Sequence, residues 1–306
     1  MATQNLSTGF SKRHLYMVLL MVLTFLVTTE WFLRSYIVTI PKSVPQRIHM
    51  VYSSDSPDVA VGDSHIYRSF IDQDLYLNLG RGGSTIPVID LFIRNYFKYR
   101  MPGKVIVEAS PQFISEIHLQ WHDKNHHQFF NINHWLIPKL YVFEKGIAQE
   151  IIRLADPEHA TDVIFRRWPD EMKKSRYWST TIDPQERLDK TRSRVDFQQP
   201  LYGSPAAENY FRIYQEMLEF LQAKGARICV LRTPVDPNYL AMIASRDPYQ
   251  KTISRFKDIA KSLGLKYVDF RELDMSFEFA AFINQDHLMP DQSRQFVELA
   301  DQACYQ

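Results

Sequence analysis

A chain of 306 residues can bury one good core or two smaller ones, and its 45% hydrophobic and 23% charged content is that of an ordinary folded protein. A net charge of +1 argues against a nucleic-acid binder, which needs a concentrated basic surface. The two cysteines, Cys229 and Cys304, are too few for a disulfide framework. Cys229 lies in the apolar run Ile228–Leu231 and reads as a small buried hydrophobe, so cysteine usage does not identify the compartment.

From Leu15 to Leu33 the chain is apolar or threonine except for Glu30, with Lys12-Arg13 before it and Arg34 after it. Glu30 is the first acidic residue of the chain, so the leading tail is purely basic and favours a cytoplasmic N-terminus. Trp31 sits where an interfacial aromatic belongs. Val27-Thr28-Thr29-Glu30 has no small-x-small cleavage pattern. The segment 15–38 is therefore expected to be a transmembrane signal anchor, preceded by a cytoplasmic tail at 1–14 and followed by an extracytoplasmic domain at 39–306.

After a linker with Pro41 and Pro45, a strand–helix rhythm begins. Asp58–Gly62 predicts a buried strand and His65–Ile71 a helix start. Leu75–Leu77 predicts a second strand ending in the glycine-rich turn Asn78–Gly83. Ile86–Tyr99 has helical spacing, and Lys104–Val107 is a third strand after Pro102-Gly103. From about 113 to 200 the rhythm stops. This stretch holds Trp121, Trp135, Trp168 and Trp178 and reads as a helical insertion. The rhythm resumes with a helix over Ala206–Lys224 stopped by Gly225, and a strand at Arg227–Leu231. A helix over Tyr249–Leu263, a strand at Lys266–Phe270 and a last helix over Met289–Ala303 follow. About five strands alternating with helices predict a parallel sheet covered on both faces, with its site at the carboxyl ends of the strands.

Four segments fall at those ends. Gly62-Asp63-Ser64-His65 places a serine between a strand and a helix, where its hydroxyl reaches the crevice; the plainer reading is a helix cap. Gly82-Gly83-Ser84 offers a backbone N–H to a reacting carbonyl, or is an ordinary tight turn. Glu108-Ala109-Ser110-Pro111-Gln112 supplies neutral donors at Ser110 and Gln112. Asn284-Gln285-Asp286-His287 puts a histidine within reach of a serine after the first strand. His65, as a helix neighbour of Ser64, is expected to point away from it.

Together these segments resemble the SGNH/GDSL hydrolase superfamily, whose blocks occur in this chain order. Asn78 through Thr85 is similar to the second block, with Gly83 as its glycine. Ser110-Pro111-Gln112-Phe113 is similar to a block of DltD-like envelope acyl-transfer proteins, which are also N-terminally anchored. The chain lacks the asparagine after glycine that the third block normally supplies, and carries Asn284 where an acid normally precedes the histidine by three. The resemblance implies a flavodoxin-like sheet, Ser64 as nucleophile and His287 as base. It implies Asn284 as orienting group, with Asp286 the alternative acid. Oxyanion donors would be Ser64, Gly83, Ser110 and Gln112, with no metal and no cofactor. Spacing favours Asn284, with Asp286 bonded to amides of the last helix.

The implied function is a membrane-bound esterase or O-acyltransferase acting through an acyl-serine on an envelope or exported polysaccharide, with a membrane-bound acyl-donor protein as a candidate partner. The alternative is a non-catalytic scaffold or polymer-binding subunit on the same fold. His118, His122 and His126 share a helical face that reads as polar surface rather than a zinc site. Arg166-Arg167 and Lys173–Arg176 read as a solvated basic face.

Overall fold

The computed structural model of the protein describes residues 12–32, 54–70, 75–80, 82–118 and 182–306. The chain separates into two compact units. One comprises residues 1–50 and 135–168, the other 51–134 and 169–306. The insertion is thus divided between them. Its tryptophans, His122, His126 and both basic clusters lie outside the described residues, as do the linker prolines.

Of the first unit only helix α1 (Lys12–Phe32) is described. Its large side chains, among them Leu15, Leu19, Leu23 and Val27, are exposed. Among the described residues no helix is long and apolar enough to cross a membrane, and the expected span at 15–38 lies only partly within them. The run that is apolar but for Thr24 ends at Val27, about 20 Å at 1.5 Å per residue. A bilayer core is about 30 Å thick. Thr28, Thr29 and Glu30 then dilute the last turns, and residues 33–38 lie outside the described residues.

The second unit holds a five-stranded sheet. Its strands are β1 (Val59–Val61), β2 (Leu77–Asn78), β3 (Lys104–Glu108), β4 (Arg227–Arg232) and β5 (Lys266–Asp269). The order is β2-β1-β3-β4-β5 and every pairing is parallel, with Val59 opposite both Leu77 and Val105. This is the doubly wound order, and the direction in which successive strands are added reverses between β1 and β3. Ser64 therefore follows the strand at the switch point.

The described α-helices of this unit are α2 (Ser64–Ser69), α3 (Ile86–Tyr96), α4 (Pro184–Phe197), α5 (Pro205–Ala223), α6 (Pro237–Ala244), α7 (Asp247–Ser262) and α8 (Pro290–Tyr305). Alternate strand residues face opposite ways. Ala60, Ile106, Cys229, Leu231 and Val268 form one core with Ile66 and Phe70 near α2 and Phe296, Val297 and Ala300 of α8. Val59, Val61, Val105, Val107 and Val230, which point the other way, are buried too. Both faces are covered, which is why the strands read as unbroken apolar runs.

Helix ends follow local chemistry. Ser204 caps α5 by accepting from the amide of Ala207, and the helix stops before Gly225 at φ 82°. α4 and α6, which the apolar rhythm did not predict, begin at Asp183-Pro184 and Asp236-Pro237. In each the aspartate accepts amide N–H bonds of the first turn, and proline occupies a position that has no intrahelical N–H to lose.

The cysteines depart from the expectation. Cys229 of β4 and Cys304 of α8 form a disulfide with Cα atoms 5.6 Å apart across a separation of 75 residues. A lone cysteine in an apolar strand gives no sign of pairing; the packing of α8 on β4 decides it.

Candidate active site

Ser64 opens α2 directly after β1, and His287 lies in the loop that enters α8. The fold brings them together: Nε2 of His287 is 2.8 Å from Oγ of Ser64. Ser64 is half-buried, whereas His287 is buried. A histidine whose Nε2 accepts the serine proton carries its own proton on Nδ1. That nitrogen is 2.9 Å from Oδ1 of Asn284 and 3.1 Å from Oδ1 of Asp286. Asn284 forms the hydrogen bond. Asp286 Oδ1 has no hydrogen-bond donor among the described residues and faces the imidazole as a charge. The two alternatives for the orienting group thus converge on one atom. Asn284 curls back three residues, and its Oδ1 also accepts the amide of Asp286 at 3.2 Å, which holds the turn.

Asp286 does not bond amides of the last helix, contrary to expectation. Its Oδ2 accepts from Nε of Arg194 at 2.9 Å and from Nε2 of Gln198 at 3.0 Å. Oδ2 also lies 3.5 Å from Nε2 of His65. Helix α4, at the exit of the insertion, and the residue that ends it therefore supply two partners to the loop of the candidate base. Burial opposes the charge on Asp286, but His287, His65 and Arg194 outweigh it and hold the carboxyl well below its usual 3.8. Burial also pulls His287 below 6.5, against the opposing pull of Asp286. A lowered value keeps the ring neutral near pH 7, the state a base requires.

Beneath the serine lies a buried polar network. Glu108, the last residue of β3, accepts the amide of Asp63 at 2.8 Å through Oε2. Its Oε1 accepts the hydroxyl of Ser110, which is 2.9 Å from the hydroxyl of Thr233. Burial, reinforced by Asp63, pushes the Glu108 carboxyl up to about 8. A Cβ at residue 62 would collide with the Glu108 carboxylate and Ile66, so only glycine fits before Asp63.

The oxyanion candidates separate. Gly83 has φ 70° in a turn where a Cβ on its neighbour Gly82 would lie 3.8 Å from that of Ser64. Asn78 ties this turn to α2: its side chain donates to carbonyls of Tyr67 and Phe70 and accepts the amide of Gly80 at 2.8 Å. Ser110 and Gln112 have other partners. The Ser110 hydroxyl is engaged by Glu108, and the Gln112 amide points at His65, Asp63 and Glu108. Both lie on β3's exit turn and are buried in the network.

The role of His65 was missed. As expected it makes no bond to Ser64, but its Nδ1 is 2.6 Å from Oδ1 of Asp63. His118 is the one described member of the histidine series. It contacts the hydroxyl of Ser115 at 3.0 Å and lies 3.6 Å from Asp63 Oδ2. Two sets, His65–Asp286–His287 and Asp63–His65–Glu108, bring potential ligand atoms within 4.8 Å. In both sets the imidazoles and carboxylates already engage one another, which is the chemistry of an acid–base network.

No family model matches the chain. No curated protein matches it in sequence. Among solved structures it is similar to a protein from Bacteroides fragilis described as a "putative acylhydrolase", at 13% identity and a TM-score of 0.41 over 85% of this chain and 95% of the other.

Proposed function

We propose that the protein is a serine esterase or O-acyltransferase working through an acyl-serine. The observation that carries this reading is the 2.8 Å contact between Ser64 Oγ and His287 Nε2, with Nδ1 of the same ring held by Asn284. Ser64 Oγ attacks the carbonyl carbon of an ester while its proton passes to His287 Nε2. The backbone N–H groups of Ser64 and Gly83 receive the oxyanion. His287 then protonates the leaving alcohol, and the acyl group remains on Ser64. An incoming water or alcohol gives its proton to His287 and attacks the acyl-serine, and His287 returns the proton to Ser64 Oγ as the acyl product leaves. Water makes the protein an esterase, and a polymer hydroxyl makes it a transferase.

Transfer to an envelope or exported polysaccharide is the finer reading. The Ser110–Phe113 block and the basic-then-apolar N-terminus support it. The disulfide supports an extracytoplasmic domain, because such bonds persist in oxidising compartments. The exposed apolar side chains of α1 support a membrane attachment through that helix.

A fluorophosphonate probe tests the chemistry. Labelling of the intact protein at Ser64, lost in Ser64→Ala with an unchanged melting temperature, is the expected result. No labelling of a folded protein would favour the scaffold.

A further inference from the structure

We propose that His65 is a positioning residue for His287: an imidazolium held between Asp63 and Asp286 that stacks on the base, sets its plane and keeps it neutral. This rests on the reading of His287 as base. The rings of His65 and His287 are 4.9 Å apart between centroids and inclined by only 16°. Both nitrogens of His65 face carboxylates. Nδ1 is 2.6 Å from Asp63 Oδ1 and 3.4 Å from Glu108 Oε1, and Nε2 is 3.5 Å from Asp286 Oδ2.

A neutral imidazole has one N–H and one lone pair, so it would turn a lone pair toward a carboxylate at one end. Only the doubly protonated ring suits both ends. Its rotation is blocked as well, because Asp63 Oδ1 accepts the backbone amide of His65 at 2.8 Å and is thereby fixed. Gln112 Nε2, 2.8 Å from Nδ1 and 3.4 Å from the Asp63 and Glu108 carboxylates, can only donate, so a protonated Nδ1 requires the Gln112 amide to turn its oxygen to the ring.

The remaining charges around the pair agree with this assignment. Arg194 engages the same Asp286 oxygen that His65 faces, His118 approaches Asp63, and Arg68 acts on His287. Burial opposes a charge on His65, but Asp63, Asp286 and Glu108 outweigh it and raise the ring well above 6.5. The consequence is an asymmetric pair of stacked histidines. A resident cation beside His287 discourages a second proton there, so the base stays available at lower pH than an isolated buried histidine beside Asp286 would allow.

The test compares the full chain with His65→Gln, using p-nitrophenyl acetate and the fluorophosphonate across pH 4–9. Removing the cation makes His287 easier to protonate, so the acid limb of kcat/KM should move up by about one pH unit. An acid limb that stays in place in the folded variant overturns the proposal. A second measurement needs neither activity nor a variant that folds. In 15N-histidine-labelled wild-type protein at pH 8, ordinary imidazoles are neutral. One ring protonated on both nitrogens is expected there, and uniformly neutral rings overturn the assignment. If the wild type neither labels nor turns over, the reading of His287 as base fails, and the nitrogen spectrum still decides the state of His65.

Discussion

Arg194 and Asp286 are joined across 92 residues by a two-pronged ion pair, with Nε and Nη2 of the guanidinium each 2.9 Å from one carboxylate oxygen. Asp286 is buried and Arg194 is about a third exposed, with 31% of its side chain accessible. The pair couples the exit of the insertion to the loop that carries His287. Gln198 adds a second bond from the same segment to Asp286.

Arg194→Gln should therefore weaken both folding and turnover. Losing one partner of a buried pair costs roughly 3–5 kcal/mol, and the exposure of Arg194 discounts this to about 1–2. At pH 7 the melting temperature should fall by about 2–8 °C. The folded Asp286 carboxyl titrates below its ordinary value, so its contribution is present above about pH 4 and is lost as pH falls through the folded value. The gap between wild type and variant should accordingly close at the acid end. A gap that persists unchanged at pH 2–3 would mean that Arg194 acts through packing alone.

Asp286→Asn should cost kcat on the order of 10–10². That is less than the roughly 10⁴ seen when a triad is left in the wrong tautomer. The difference comes from Asn284, which still accepts the Nδ1–H. Asn284→Asp would bring a second carboxylate to the same nitrogen, raise the pKa of His287 and move the acid limb of the rate profile upward. Steady-state kinetics on an activated ester checks both. A loss near 10⁴ at Asp286 would make it the orienting group.

Glu108 makes stability depend on pH. Its folded carboxyl is pushed up to about 8 from 4.5, so the folded state holds a proton that the unfolded chain has released. Its contribution is present below about pH 4.5 and is lost as pH rises to about 8. Glu108→Gln removes that titration, and its melting temperature should fall less steeply from pH 5 to 8 than the wild type's. Parallel curves from calorimetry would show that Glu108 titrates normally.

Reduction of Cys229–Cys304, or Cys229→Ala, should lower the melting temperature by roughly 4–20 °C. Removing a native cross-link costs about 2–5 kcal/mol, at about 2–4 °C per kcal/mol for a domain of this size. Alkylation with a maleimide polymer under denaturing conditions should shift the protein only after reductant. A shift without reductant would show free thiols.

The attachment through α1 predicts that the full-length protein stays with membranes after alkaline carbonate extraction, whereas a chain lacking residues 1–33 is released. Release of the full chain by high salt would leave only an electrostatic association.

Much of this site is readable without coordinates because its parts are local. The five apolar runs, the stop at Gly225 and the block order from Ser64 to His287 follow from periodicity, turn chemistry and the rule that sites lie at strand carboxyl ends. The aspartate–proline starts of α4 and α6 were equally local and were passed over because those helices carry no strong apolar stripe. His65 had a signal in its place beside Ser64, and Glu108 in being a lone carboxylate at the end of an apolar strand. What only the tertiary structure decides are pairings between distant segments: Asp286 with Arg194, His65 with His287, Cys229 with Cys304. Each member is, by its own neighbours, an ordinary surface arginine, helix-cap histidine or core cysteine. Their chemistry arises where strand order and helix packing bring them within a few ångströms and exclude water, a property of the chain's path that no local pattern encodes.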